Sequence, residues 1–141
     1  MEKMYLKFNA SSKNESFART CVSAFILPLN PSVEELSDIK TAVSEAVTNA
    51  VVHAYPKNKE NSEIIIECFV ENNTLHIKIT DFGQGIENVE NALEPFFTTR
   101  EEDERAGMGF TIMRTFMDTL SVESVPQQGT IVNMSKLLKA G

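Results

Sequence analysis

One long segment, Ser32 to Pro56, most constrains what this chain can fold into. Ser32 stands three residues before Glu35, the capping-box arrangement that opens a helix. Pro56 disfavours helical geometry in the residue ahead of it. The spacing predicts a helix from Val33 to about Tyr55, with Leu36, Ile39, Val43, Val47, Ala50 and Ala54 as its apolar stripe. At about 100° per residue, Glu45 and Asn49 share a face nearly opposite that stripe, flanked by Ala42 and Val52. A solvated face seldom mixes small apolar residues with an isolated acid and amide. The pattern reads as a helix covered by core on one side and by ligand on the other; the plainer reading is an exposed polar face.

The remaining elements follow from changes of period. Met4, Leu6 and Phe8 alternate with polar residues as an opening strand. From about Asn14 the spacing is helical, with Phe17, Cys21, Ala24 and Phe25 on one side, and Pro28 and Pro31 close that helix. Glu63–Val70 and Thr74–Thr80 are Ile- and Val-rich strands joined by a turn at Glu71, Asn72 and Asn73. A Gly-containing loop after Asp81, a short helix near Glu90 and a polar lid from Phe96 to Ala106 come next. Gly107 to Leu120 reads as a helix with Phe110, Met113, Met117 and Leu120 in phase. Ser121–Val125 and Thr130–Leu137 form a closing hairpin. This order predicts a two-layer α/β sandwich, with a mixed sheet and helices on one face.

Composition narrows the function. At 141 residues the chain fits a single domain spanning 1–141. Its formal net charge of −7 argues against sequence-independent nucleic-acid binding, which needs a basic surface. Met1 to Phe8 has no apolar run like that of a signal peptide, and no stretch reaches membrane-spanning length. Cys21 and Cys68 form no C-x-x-C motif and read as two buried thiols in a reducing cytoplasm, with a disulfide between them as the alternative. His53 and His76 lack partners at metal-ligand spacing and read as partly buried structural residues. Met108, Met113 and Met117 follow helical spacing and read as core.

Two glycine-containing motifs add to the acid–amide pair. Asp81-Phe82-Gly83-Gln84-Gly85 places an acid at a strand end, followed by two glycines through which a ligand can approach the backbone. An ionised Asp is an acceptor only and suits a donor such as the exocyclic amine of adenine. The plainer reading is an Asp-initiated turn. The D-F-G of eukaryotic-type protein kinases is a false match, because neither an H-R-D loop nor a G-x-G-x-x-G loop is present. Arg105-Ala106-Gly107-Met108-Gly109-Phe110 opens the last helix, where free amides and the helix dipole can hold an anion. There is no G-x-x-x-x-G-K-[ST], so this is not a P-loop.

In order and spacing, E-x-x-x-N on a helix, D-x-G-x-G after a strand, a polar lid, G-x-G at a helix start and Gly129-Thr130 in the last hairpin resemble the Bergerat ATP-binding fold. Within that superfamily, Glu45-Ala46-Val47-Thr48-Asn49-Ala50, Phe97-Thr98-Thr99 and Glu104 through Met113 resemble the anti-sigma-F family of sporulating bacilli, small serine kinases matching the whole chain in length and element order. The first glycine of the superfamily's G-x-G-x-G is replaced by Arg105, a departure that fits the anti-sigma group.

The resemblance implies a role for each matching residue. Glu45 is the expected general base, and Asn49 the expected ligand of Mg²⁺, a cation that takes few protein ligands. Asp81 and Thr130 are expected to hold adenine, with Gly83 and Gly85 permitting its approach. Thr98, Thr99, Arg100, Arg105, Gly107, Met108 and Gly109 are expected around the phosphates of ATP or ADP. A sporulation sigma factor held by a homodimer, and an anti-anti-sigma protein phosphorylated on serine, are the implied partners. Glu15 and Arg19 are candidates for contacting them; an ordinary i,i+4 ion pair is the plainer reading. A small ATPase and a nucleotide-gated binding module without kinase activity stay open as alternatives.

Overall fold

The computed structural model describes residues 2–55, 62–94 and 104–139, with side chains in the last segment from Met108 onward. Five strands form one sheet in the order β1-β2-β3-β5-β4, comprising β1 (Lys3–Asn9), β2 (Glu63–Glu71), β3 (Thr74–Asp81), β4 (Thr119–Val125) and β5 (Gly129–Leu137). Helices α1 (Lys13–Ile26), α2 (Val33–Asn49), α3 (Val89–Ala92) and α4 (Glu104–Phe116) complete the fold. Alternation along the strands sends Ile64, Ile66, Cys68, Leu75, Ile77, Ile79, Val132 and Met134 into a core shared with the helices. Tyr5, Glu67, His76 and Lys78 lie at positions of the opposite register, where the His76 ring stacks on Phe69 across β2 and β3.

The two-layer α/β architecture is as expected, but the sheet is antiparallel at every pairing rather than mixed. The two hairpins impose this on β2–β3 and β4–β5, since tight turns join antiparallel neighbours; the long connections that bring β1 to β2 and β5 to β3 also return antiparallel. Asn72 and Asn73 turn the first hairpin with φ of 53° and 58°, the left-handed geometry that asparagine tolerates. Strand β5 then enters between β3 and β4 and pairs Ile79 with Val132 and Asp81 with Thr130.

Helix α2 begins as predicted. Ser32 Oγ accepts the Glu35 amide at 3.0 Å, and Glu35 Oε1 accepts the Ser32 amide at 2.9 Å, a box worth about 1 kcal/mol. Glu35 Oε2 also accepts the Lys139 amide at 2.8 Å, tying the chain's last described residues to this helix start. Ile39, Val43, Val47 and Ala50 are buried as expected. Ala42 is buried too, confirming cover beyond the main stripe, but Val52 is exposed.

That difference arises because α2 does not continue regularly to Tyr55. Its last turn, Ala50–Ala54, is π-helical, and the Tyr55 amide reaches back five residues to the Ala50 carbonyl. Two other expectations are corrected. On α1, Ala18, Val22 and Ile26 are buried while Phe17 and Ala24 are exposed. The two candidate stripes are offset by one residue, and the smaller residues allow the closer approach to α2. At the other end, α4 starts at Glu104 and stops at Phe116. Lys136 Nζ captures the Phe116 carbonyl at 2.6 Å, and Leu120 joins β4 opposite Met134.

Candidate functional site

Asp81 ends β3 on the inward face of the sheet and is buried. Its Oδ1 accepts the Gly83 amide at 3.0 Å, which fixes the carboxylate's direction. Burial pushes its pKa upward, while backbone hydrogen bonds from Gly83 and Thr130 pull it back. Beside it on β5, Thr130 is also buried, and its Oγ1 lies 2.8 Å from Ser124 Oγ. Ser124 Oγ accepts the Ile86 amide at 2.7 Å and bonds the Gly129 carbonyl at 3.0 Å. Ser124 therefore joins the loop after Asp81 to the hairpin carrying Thr130.

The glycines of this loop have distinct reasons. Gly85 has φ of +75°, and a Cβ there would strike the Val125 carbonyl. A Cβ on Gly83 would strike the Ala54 carbonyl, whose oxygen accepts the Gln84 amide at 3.0 Å. The loop is thus pressed against the end of the π-helical turn.

Asp81, Thr130, Gly85 and Asn49 line one cavity of about 510 Å³, within the usual range for small-molecule sites. Asn49 Nδ2 is buried without a hydrogen-bond partner among the described residues. An orphaned amide donor of this kind costs about 1–3 kcal/mol until something engages it. Glu45 lies one turn earlier on the same helix, has one carboxylate oxygen shielded from solvent, and does not line the cavity. Gly109 packs directly against the Asn49 amide.

Helix α4 begins three residues ahead of the expected Gly107, so Gly107 and Gly109 lie within its first two turns, where i→i−4 bonding engages backbone amides. Met108 is half-buried. Thr98, Thr99 and Arg100 lie outside the described residues, as does the side chain of Arg105. Arg19 pairs with Glu15 at 3.3 Å, the i,i+4 ion pair of the plainer reading.

The cavity also has an apolar lining, to which the motifs assigned no role. Ile79, Val132, Ile86, Phe110 and Met113 form it, and Ala46, His53, Asn88 and Asn91 also line the cavity. The period of two carried the signal: Ile79 lies two residues before Asp81 and Val132 two after Thr130, so all four share one sheet face. Met113 is core, as expected, and cavity wall as well. The arrangement suits a flat apolar ring whose edge carries a donor for Asp81, with a polar extension running toward Asn49.

Comparison with known proteins identifies the family of the chain. Residues 9–136 match the histidine kinase-like ATPase domain. The chain is 58% identical over 135 residues to an anti-sigma F factor of Caldanaerobacter subterraneus, covering 96% of this chain and 93% of that one. It is 52% identical to one from Clostridium botulinum, covering 95% and 93%, and 51% identical to one from Anoxybacillus flavithermus, covering 96% and 92%. The chain belongs to the anti-sigma F factor family.

Solved structures support the fold of this family member. The RsbU and RsbW domains of a Mycobacterium tuberculosis protein superpose with a TM-score of 0.72 at 15% identity, covering 98% of this chain and 33% of that one. The catalytic domain of the histidine kinase ThkA superposes with a TM-score of 0.60 at 17% identity, covering 98% and 97%. Nucleotide binding is what membership of an ATPase-domain family implies. No helix among the described residues is long and apolar enough to cross a membrane.

Proposed function

We propose that residues 1–141 form one cytoplasmic domain that binds Mg-ATP, inhibits a sporulation sigma factor as a homodimer, and phosphorylates an anti-anti-sigma protein on serine. The observation that carries this reading is the single cavity shared by Asp81, Thr130 and Asn49, in a chain more than half identical to anti-sigma F factors. The reading needs no direct contact with nucleic acid or membrane.

Asp81 would accept the adenine amine and Thr130 would support the same ring, against the wall of Ile79 and Val132. Asn49 would hold Mg²⁺ through its amide oxygen. Asn49, which lines the cavity, fits a cation that takes few protein ligands and keeps waters and phosphate oxygens as its main ones. The bound cation would supply charge neutralisation at the phosphates. Glu45 would take the proton of the serine hydroxyl as its oxygen bonds the γ-phosphorus and the bond to the bridging oxygen of ADP breaks. For Gly107 and Gly109 to offer amides to phosphate oxygens, the first turns of α4 must open. Thr98, Thr99, Arg100, Arg105 and Met108 complete the phosphate end in this reading, and Glu15 and Arg19 are offered for partner contact.

The test follows label from γ-labelled Mg-ATP, with and without the anti-anti-sigma protein of the same organism. Transfer to a serine of that protein is expected. Free phosphate alone would favour an ATPase, and neither product a nucleotide-gated binding module.

A further inference from the structure

The short stretch between the two ends of the cavity is stitched together unusually densely. His53, Ala54 and Tyr55 close the π-helical turn that follows Asn49, and each bonds the loop that follows Asp81. The His53 carbonyl accepts Gln84 Nε2 at 2.6 Å, and the Ala54 carbonyl accepts the Gln84 amide at 3.0 Å. Tyr55 supplies the third tie. Its hydroxyl accepts the amide of Phe82, the residue next to Asp81, at 2.6 Å and donates to the Glu63 carbonyl at 2.7 Å.

We infer that Tyr55 is a positioning residue for Asp81: its hydroxyl pins the backbone beside the aspartate to the end of the helix that carries Asn49. Rotation of Asp81 about its backbone requires Phe82 to move, and Phe82 is held through Tyr55 to the first residue of β2. The π-helical turn makes this reach, since α-helical continuation would carry Tyr55 to a different azimuth. Burial raises the phenol's pKa above its ordinary range, so the hydroxyl keeps the proton it donates to Glu63. A ring that merely filled space would need no hydroxyl with both a donor and an acceptor partner.

The inference rests on the nucleotide reading and deepens it: Tyr55 governs how well Asp81 distinguishes a base that carries an amine at C6. The test is calorimetry on the full chain with Mg²⁺, comparing ATP with purine riboside triphosphate, which lacks that amine. The parent chain is expected to favour ATP about tenfold or more, as for a hydrogen bond to a charged group. Tyr55→Phe, which keeps the ring, is expected to bring that ratio down to about threefold or below, largely through weaker ATP binding. An unchanged ratio in Tyr55→Phe overturns this inference alone. No heat from either triphosphate with the parent chain overturns the nucleotide reading and the inference together. Should the variant not fold, hydrogen exchange in the unliganded parent decides: a protected Phe82 amide supports the clamp, and exchange at the open-chain rate overturns it.

Discussion

Gly109 of α4 and Asn49 of α2 meet so closely that a Cβ on the glycine would lie 2.7 Å from Asn49 Nδ2 and 2.9 Å from its Oδ1. The contact is with the end of a side chain, so it is the amide, rather than either helix backbone, that must yield to any larger residue. The last helix therefore aims the Asn49 amide at the cavity.

Gly109→Ala separates this aiming from stability. Alanine favours a helix over glycine by about 1 kcal/mol, so the thermal midpoint is expected to hold or rise slightly. Mg-ATP affinity is expected to fall by about tenfold as the Asn49 amide is displaced. Equal affinity in calorimetry would show that the amide's direction does not matter.

Asp81→Asn should act in opposite directions on fold and ligand. Burial raises the pKa of Asp81 in the folded chain. The folded state therefore holds its proton to higher pH than the unfolded state, and keeping Asp81 ionised costs stability once pH rises through the raised value. The variant is expected to gain stability over the parent at neutral pH, a gain that disappears below the ordinary aspartate range. Adenine-nucleotide affinity should drop by about 1.5–3 kcal/mol. Denaturant unfolding at several pH values and calorimetry read the two effects independently.

Glu45→Gln keeps the shape of the side chain and removes its basicity. Serine transfer is expected to fall by at least about 100-fold, the usual worth of a positioned base, while the dissociation constant for Mg-ATP stays within about twofold. Parallel loss of binding would remove the base assignment.

Glu35 makes the fold acid-sensitive in a predictable direction. Its carboxylate is held below the usual range chiefly by the Lys139 amide and then by the Ser32 amide. Its contribution is present above the ordinary glutamate value and is lost as pH falls through the lowered folded value. Glu35→Ala is expected to cost about 1–2 kcal/mol at neutral pH, as for a lost cap. The gap from the parent should close in strong acid, and urea titrations at both pH values would detect it.

The elements themselves were legible because they rest on local chemistry. Ser32 and Glu35 fix a helix start whatever surrounds them, and Asn72-Asn73 turns a hairpin without help from the rest of the chain. The stripe of α1 was misread because Phe17–Cys21 and Ala18–Val22 have the same period, and only the distance to α2 selects between them. The cavity wall was missed for a related reason: Phe110 and Met113 repeat like any core residues, and nothing in that spacing says that part of the core is left open.

By itself, the sequence determined which residues are candidates for chemistry: an acid and an amide one turn apart, an aspartate at a strand end, and glycines where the backbone must come close. Those are properties of covalent spacing and helical or pleated period, which any stretch of chain expresses alone. Only the tertiary structure decided that Asp81 and Thr130 face Asn49 across one cavity, that the helix loosens into a π-turn at Ala50, and that Tyr55 reaches Phe82. The physical reason is that these contacts join residues distant along the chain, and their geometry is set by how a sheet and its helices exclude water together.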